Sequence, residues 1–338
     1  MANISDIFLE REREYLSPYA CLTANTRGRL TPKDPCPNRT DFQRDRDKII
    51  HSKSFRRLMH KTQVFLSPID EHYRTRLTHT MEVTQIARII ARALRLNEDL
   101  VEAIGLGHDL GHTPFGHAGE FALRRCFDPT FAHNEQSLRV IDRLENGGEG
   151  LNLTYEVRDG ILHHSAGGED ACTLEGVVVK FADKIAYINH DIDDACRAGI
   201  LSLDDIPNDI LDVLGRRHSE RINRMVTAVI DGSQDSPKIA MTTEIMEATL
   251  ALRKFLFANV YRNPILLDQD EKAQNLLIAI YEYYLAHPEE LPVVYRDNIP
   301  NDGVARCVAD YISGMTDRYA TNLYTQLFIP ELWRGNNA

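Results

Sequence analysis

Histidine and aspartate side chains, which bind divalent metal ions, are concentrated in one part of this chain. Eleven of the thirteen histidines fall between residues 51 and 190, and five of those lie between residues 79 and 133. A lone histidine on a helix is more often packed or solvated than bound to a metal. His108 differs, because Asp109 follows it directly inside an apolar stretch and further histidines flank the pair. The distribution therefore indicates a metal-dependent site.

The segment from Ala103 to Glu120 holds the densest group of ionisable side chains. Five of them fall within thirteen positions, and they are His108, Asp109, His112, His117 and Glu120. Burying so many polar groups among apolar neighbours costs free energy unless a metal ion or a substrate satisfies them. Glycines at positions 105, 107, 111, 116 and 119 also let the backbone approach an ion or a phosphate closely. Packing alone explains this segment poorly.

Several stretches combine these residue types in a recognisable order, namely 11–19, 42–58, 72–79, 108–120, 133–137, 183–191 and 311–318. On these stretches the chain resembles the HD-domain deoxynucleoside triphosphate triphosphohydrolases, specifically the bacterial dGTPase-like proteins. The resemblance runs from about Arg11 to Ala320. The His-Asp signature alone implies a metal-dependent phosphohydrolase, while the arginine-rich lead-in and the last two stretches narrow the resemblance to this family. We assign no role to Asp317 and Arg318 in the last stretch.

The resemblance implies a metal site formed by His79, His108, Asp109 and Asp183. Two imidazoles and two carboxylates suit a divalent ion such as Mn²⁺, Mg²⁺, Fe²⁺, Ni²⁺ or Zn²⁺, and they leave positions open for water or phosphate oxygen. Such a site needs one helix turn to aim the His-Asp pair at one point, and separate helices to bring the other two ligands. The alternative is a buried His-Asp pair that binds no metal.

The resemblance also implies a catalytic group. His117 and Glu120 are at i and i+3, hence on one helix face, and similar proteins place such a pair beside the α-phosphate. The histidine is then nucleophile or general acid, which the sequence leaves open. Glu120 alone also fits a first-turn charge favoured by the helix dipole. His112 is implied as a phosphate contact, and His133 with Glu135 as a pair that orients the catalytic residues, although His133 also fits a surface loop.

Asp183, Tyr187 and Asp191 are spaced i, i+4 and i+8, which places them on one stripe of a helix. The resemblance implies that the Tyr187 ring covers the 2′ carbon of a deoxyribose and that Asp191 binds the 3′ hydroxyl. It further implies substrate contacts for three other residues, namely Gln63 (sugar), Arg76 (triphosphate) and Lys184 (phosphate). Arg57 and Arg74 are weaker phosphate candidates.

The function that the resemblance implies is hydrolysis of a dNTP, either dGTP or several dNTPs, to deoxynucleoside and inorganic tripolyphosphate. One alternative is another HD-type phosphohydrolase that acts on nucleoside monophosphates, cyclic dinucleotides or guanosine tetraphosphate. A second is a nucleotide sensor or nucleic-acid-binding module on an inactive core. The Tyr187 and Asp191 spacing argues against the first, and the complete ligand set argues against the second. The sequence contains no GxxxxGK[ST] phosphate-binding loop.

Helical periodicity dominates the elements that must position these residues. The pattern predicts an all-α fold class, and the resemblance implies an HD-domain helical bundle core with additional C-terminal helices. A short helix is predicted near Ile7 to Tyr15, and one extended piece at residues 63–68. Longer helices are predicted at about 42–61, 79–96, 98–110, 117–126, 134–145, 173–198, 207–230, 238–260, 269–286 and 303–326. The predicted organisation is an N-terminal arm (1–41), a catalytic core (42–230) and a C-terminal helical region packed on it (231–338).

Charge and composition restrict the class of partner and location. The net charge of −11 argues against general nucleic-acid binding, but residues 27–76 carry thirteen Lys/Arg and six Asp/Glu. A basic segment in an acidic protein suits a contained anionic ligand. The absence of a signal peptide and of a membrane-spanning apolar run predicts a cytoplasmic protein. Six cysteines without a CxxC pair predict reduced thiols that lie mostly in the core.

Assembly and regulation follow only from the resemblance, which implies a homo-oligomer such as a hexamer. A separate site for an allosteric dNTP or for single-stranded DNA stays open. The arm residues Arg27, Arg29 and Arg39 are basic enough for a nucleotide, but they fit subunit contacts equally well.

Overall fold

Helices form all the regular secondary structure of the residues described here. The structure is a computed structural model that describes residues 3–64, 72–165 and 167–330. Within those ranges, extended pairing is limited to two isolated antiparallel bridges, Arg29 with Thr154 and Thr62 with Thr75. The all-α prediction is therefore confirmed.

The α-helices in chain order are α1 (Ile4–Tyr15), α2 (Asp41–His51), α3 (Lys53–Arg57), α4 (Arg76–Ala93), α5 (Glu98–Gly107), α6 (His117–Cys126), α7 (His133–Arg139), α8 (Tyr155–Leu162), α9 (Leu174–Arg197), α10 (Asn208–Leu214), α11 (His218–Ser233), α12 (Thr243–Asn259), α13 (Pro264–Ala286), α14 (Val293–Arg296), α15 (Ile299–Asp302), α16 (Val304–Ser313) and α17 (Asp317–Phe328).

Three of the predicted long helices are each two helices in the structure: those at 42–61, 207–230 and 303–326. Ser52 ends α2 and caps α3 by accepting a hydrogen bond from the Phe55 amide at 3.1 Å. Gly215 ends α10 at a φ of +99°, a conformation that favours glycine. Thr316 caps α17 in the same way that Ser52 caps α3. Helices α8, α14 and α15 were not predicted. Most of the predicted extended piece, residues 65–68, lies outside the described residues.

Buried apolar side chains form two clusters. The larger one contains residues from α2, α4, α5 and α8 to α12, including Ile104 and Ile185. The smaller one joins α6 to α13, α16 and α17 through residues such as Leu123, Leu277 and Ile312. The segment 108–116 connects α5 in the first cluster to α6 in the second, so the residues with candidate chemistry lie where the two clusters meet. Helix α12 packs in the first cluster, and the predicted division at 230/231 stays a prediction.

The six cysteines are free thiols. Only Cys307 is buried and Cys172 is exposed, so the expectation that most of them lie in the core is wrong. Among the described residues, no helix has both the length and the apolar character that crossing a bilayer requires.

Candidate functional site

Three helices bring the four predicted metal ligands together. His79 lies on α4, His108 and Asp109 directly follow α5, and Asp183 lies on α9. One ligand atom from each of His79, His108 and Asp109 lies within 4.8 Å of the others. The Oδ1 atom of Asp183 is 3.1 Å from Nε2 of His79. Four side chains from distant parts of the sequence therefore meet in one place.

The donor atoms of this cluster fit a divalent cation. The His108 ring places Nδ1 2.7 Å from the Gly105 carbonyl, so Nδ1 carries the proton and donates it. The Nε2 lone pair of His108 is then free, and among the described residues this buried atom has no hydrogen-bond partner. A buried imidazole nitrogen of this kind, beside carboxylate oxygens, is suited to bind a divalent cation.

Both carboxylates of the cluster stay ionised at neutral pH. Burial opposes ionisation of Asp109, but His108 and Arg76 outweigh it and hold the pKa well below its usual value. Burial opposes ionisation of Asp183 as well, but the hydrogen bond and charge of His79 lower its pKa to about 2. Anionic oxygen ligands are therefore available to a cation.

Two further histidines lie behind the ligands, and sequence reasoning missed both. His190 has Nδ1 3.5 Å from Nδ1 of His79 and Nε2 3.0 Å from a carboxylate oxygen of Glu82. His164 stands edge-on to His108, with ring centroids 5.0 Å apart. His190 belongs to the stretch 183–191 that carries the family resemblance, which is the signal that could have found it.

The His117 and Glu120 pair begins helix α6. Nδ1 of His117 is 3.5 Å from Oε2 of Glu120, and His117 is 70% exposed while Glu120 is buried. Glu120 also accepts from Nδ1 of His133 at 3.1 Å and from Nη2 of Arg124 at 2.5 Å. Burial opposes its ionisation, but the hydrogen bonds from His117 and His133 hold the pKa of this carboxyl well below its usual range. Glu120 is thus a buried acceptor, with one exposed imidazole beside it.

His112 connects the pair to the metal cluster. Its ring stacks on that of His133 with centroids 4.6 Å apart, and ligand atoms of Asp109, His112 and His133 lie within 4.8 Å of one another. His133 is partly buried rather than a surface histidine. Its Nδ1 contacts the Glu120 carboxylate, whereas Glu135, the partner that the resemblance implies, is exposed. Burial lowers the pKa of His112 well below its usual value, so this imidazole is neutral at neutral pH.

The α9 stripe continues from Asp183 to Tyr187 and Asp191. Asp191 is buried and accepts a short hydrogen bond from the Tyr261 hydroxyl, whereas its other oxygen has no partner among the described residues. Burial raises the pKa of Asp191 to about 7. The Tyr187 hydroxyl accepts from Nε of Arg253 at 2.9 Å. Sequence reasoning did not single out Tyr261 or Arg253.

The three other predicted substrate residues occupy different settings. Arg76 is buried and donates to Asp109 Oδ2 at 2.7 Å and to the Gln63 carbonyl at 3.4 Å. The Gln63 side-chain oxygen has no partner among the described residues. Lys184 is half-buried, and burial lowers its pKa. The weaker candidate Arg74 contacts three carboxylates, at 3.0 to 3.4 Å, so its charge is already balanced within the protein.

The protein-family comparison agrees with this geometry. Residues 76–188 match the HD domain, and residues 239–326 match the phosphohydrolase-associated domain. A solved phosphohydrolase from Bacteroides thetaiotaomicron superposes with a TM-score of 0.54 at 18% identity, over 84% of this chain and 69% of that one. A hypothetical protein from Aquifex aeolicus gives 0.50 at 18% identity, over 85% and 68%. At this identity the two structures show a common fold alone.

Curated relatives are much more similar in sequence. A deoxyguanosinetriphosphate triphosphohydrolase-like protein from Caldanaerobacter subterraneus is 54% identical over 99% of this chain and 98% of the relative. Proteins of the same description from Desulfatibacillum aliphaticivorans and Clostridium tetani are 49% and 46% identical, over 97% and 95% of this chain and 98% and 95% of the relatives. The chain therefore belongs to the deoxyguanosinetriphosphate triphosphohydrolase-like family of HD-domain hydrolases.

Proposed function

We propose that the protein is a metal-dependent dNTP triphosphohydrolase, which converts a dNTP and water into deoxynucleoside and inorganic tripolyphosphate. The observation that carries this proposal is the continuity of the site. Asp109 of the metal cluster adjoins His112 and His133, and His133 binds the Glu120 carboxylate. The name of the relatives, deoxyguanosinetriphosphate triphosphohydrolase-like protein, supports a nucleotide substrate. A divalent ion held by the four ligands would polarise a phosphate oxygen and an attacking water.

The side chains around that cluster suit attack at the α-phosphorus. Glu120 is ionised, so it accepts a proton or hydrogen bond and can orient either a water molecule or His117. Neutral His112 can donate one N–H to a phosphate oxygen. Arg76 and Lys184 would balance charge on the phosphate chain as the triphosphate leaves.

The sugar side of the proposed substrate lies along α9. Buried Asp191 accepts a hydrogen bond from the partly buried Tyr261, and its other carboxyl oxygen, which has no hydrogen-bond partner among the described residues, could bind a sugar hydroxyl. The Tyr187 ring stands between Asp191 and the metal ligand Asp183 on the same helix face. In the proposed complex this ring would cover the 2′ carbon of a sugar whose hydroxyl Asp191 binds, and it would then exclude a 2′ hydroxyl and give a preference for deoxyribose.

Product analysis tests the proposal directly. The purified protein is incubated with each of the four dNTPs, singly and mixed, with Mn²⁺ or Mg²⁺, and the products are separated by anion exchange. Tripolyphosphate and deoxynucleoside in equal amounts are the expected result. Release of orthophosphate or pyrophosphate, or turnover of nucleoside monophosphates or cyclic dinucleotides alone, would contradict the proposal and favour another HD-type hydrolase.

Replacing Tyr187 with alanine should relax the choice between deoxyribose and ribose. We expect the ratio of kcat/KM for dGTP over GTP to fall by about tenfold or more, since excluding one small group from a pocket is worth roughly 10- to 200-fold. Tyr187→Phe is the matched control, because it keeps the ring and removes only the hydroxyl that contacts Arg253. An unchanged ratio in Tyr187→Ala would contradict a role of Tyr187 in the selection of deoxyribose.

The homo-oligomer and the second nucleotide site are further parts of the proposal, and the structure supports them unequally. Exposed apolar side chains on α12 and α13, such as Phe257 and Ile265, support a homo-oligomer. The arm offers less support for a second nucleotide site, because Arg29 and Arg39 are paired with aspartates of α2. Arg27 lies over the Tyr155 ring, 3.5 Å from its centroid.

A further inference from the structure

Asp317 connects the C-terminal helices to the segment that precedes the catalytic pair. Its Oδ1 accepts a hydrogen bond from the Phe115 amide at 2.8 Å. Its Oδ2 accepts from the Thr62 amide at 2.8 Å and from the Thr62 hydroxyl. All three residues are buried or nearly so. Asp317 begins α17, and about 200 residues of chain separate it from Phe115.

Lys61 also connects the segment before His117 to the C-terminal helices. Its Nζ donates to the His112 carbonyl at 2.5 Å and to the Ser313 carbonyl at 2.8 Å. Ser313 ends α16, directly before the junction that leads to Asp317. The segment 112–115 is therefore held at both ends by the chain around Lys61 and by the junction between α16 and α17.

The held segment has a backbone conformation that needs support. Phe115 has a φ of +60°, which non-glycine residues rarely adopt, and Gly116 follows at +58°. A Cβ atom on Gly116 would lie 3.2 Å from Nη2 of Arg76 and 3.2 Å from the Gln63 carbonyl. His117 comes next and starts α6. Such conformations persist only where the surroundings fix them, and the hydrogen bond that the Phe115 amide donates to Asp317 is one such constraint.

We propose that Asp317 is a positioning residue for the His117 and Glu120 pair and that it acts through the Phe115 amide. The carboxylate fixes the turn from which α6 starts, and the turn fixes where the first residues of that helix point. A displacement of about 1 Å at a reacting group can cost about 100-fold in rate. The C-terminal helices would thereby contribute to turnover without touching the substrate. The catalytic readout of this inference rests on the proposed function.

The test compares Asp317→Ala with Asp45→Ala. Asp45 is also a buried carboxylate that accepts from a distant backbone amide, that of Thr154 at 2.7 Å, but its partners Arg29 and Thr154 lie outside the site. For dGTP hydrolysis with Mn²⁺, we expect kcat to fall about 100-fold in Asp317→Ala, with KM and metal content within about threefold of wild type. Asp45→Ala should lower the melting temperature and leave kcat of the folded protein unchanged.

Asp317→Asn provides a conservative second variant. Its amide has one oxygen, so either the Phe115 amide or the Thr62 amide loses its acceptor, and we expect a kcat between those of wild type and Asp317→Ala. Thr62→Val removes one of the three hydrogen bonds and serves if Asp317→Ala does not fold. Hydrogen exchange of the peptide that contains Phe115, measured by mass spectrometry, reports the hydrogen bond from the Phe115 amide to Asp317 without any substrate. The exchange should accelerate at least tenfold in Asp317→Ala and stay at the wild-type rate in Asp45→Ala.

The possible outcomes separate this inference from the proposed function. A wild-type protein that releases no tripolyphosphate contradicts the function; the kcat comparison then uses bis(p-nitrophenyl) phosphate, a chromogenic phosphate ester. If Asp317→Ala keeps kcat within twofold, or loses activity only in step with its folded fraction as Asp45→Ala does, Asp317 is structural and the positioning role is wrong. Unchanged exchange at Phe115 would equally overturn it.

Discussion

Replacing Glu120 with glutamine should lower kcat by about 10²- to 10⁴-fold and leave the metal content of the protein unchanged. The carboxylate is buried, ionised and held by His133 and Arg124 beside Nδ1 of His117. Glutamine keeps the volume but cannot accept a proton, and it can serve only one of the two imidazoles as an acceptor through its single oxygen. Because Glu120 is not one of the four metal ligands, the metal cluster should survive the change.

The measurement is steady-state turnover at saturating dNTP, together with metal content by elemental analysis of the purified protein. Glu135→Gln is a matched control, since Glu135 is exposed and lies two residues after His133; its kcat should match that of wild type. A kcat of Glu120→Gln within threefold of wild type would refute the assigned role. Loss of metal together with activity would instead indicate that Glu120 supports the ligands.

The site residues that could be predicted from the sequence lie close together along the chain, within single short segments. His108, Asp109 and Glu120 lie within thirteen residues, and the spacing of Asp183, Tyr187 and Asp191 follows from one helix. Residues that reach the site by packing of distant elements were missed. Tyr261 contacts Asp191 across 70 residues, and no local pattern around Tyr261 distinguishes it from other helix-end tyrosines.

The proposed role of Asp317 likewise depends on contacts between distant parts of the chain, which the sequence did not predict. The stretch 311–318 matches the family, but the match does not say what Asp317 does. Its hydrogen-bond partners, Thr62 and Phe115, are far away in the sequence. Two residues that commonly end helices also mark breaks that apolar periodicity did not predict. Ser52 and Gly215 are residues that typically cap or end helices, yet continuous apolar periodicity favoured single long helices at both positions. Helix α8 was missed because its eight residues lie between glycine-rich segments.

Removing one metal ligand should abolish both the response to divalent ions and turnover. In His108→Ala we expect Mn²⁺ affinity to fall by at least 100-fold, since the buried Nε2 atom of His108 has no hydrogen-bond partner among the described residues and can bind the ion. Binding to the folded state stabilises a protein by about 2.7 kcal/mol at a ligand concentration 100 times Kd. Wild-type protein should therefore melt at a higher temperature with Mn²⁺ than with a chelator, and His108→Ala should melt at the same temperature in both.

The thermal readout separates loss of metal from loss of the fold. His51→Ala is the matched control, because His51 is exposed at the end of α2 and lies outside the cluster; it should keep the full Mn²⁺ shift and wild-type turnover. Without metal, His108→Ala should remain folded, since within the part of the chain that the structure describes the lost side chain makes one hydrogen bond, to the Gly105 carbonyl. A full Mn²⁺ shift in His108→Ala would place the ion elsewhere. The groups formed by His112 with Glu120 or His133 would then be the next candidates, because their ligand atoms also lie within 4.8 Å of one another.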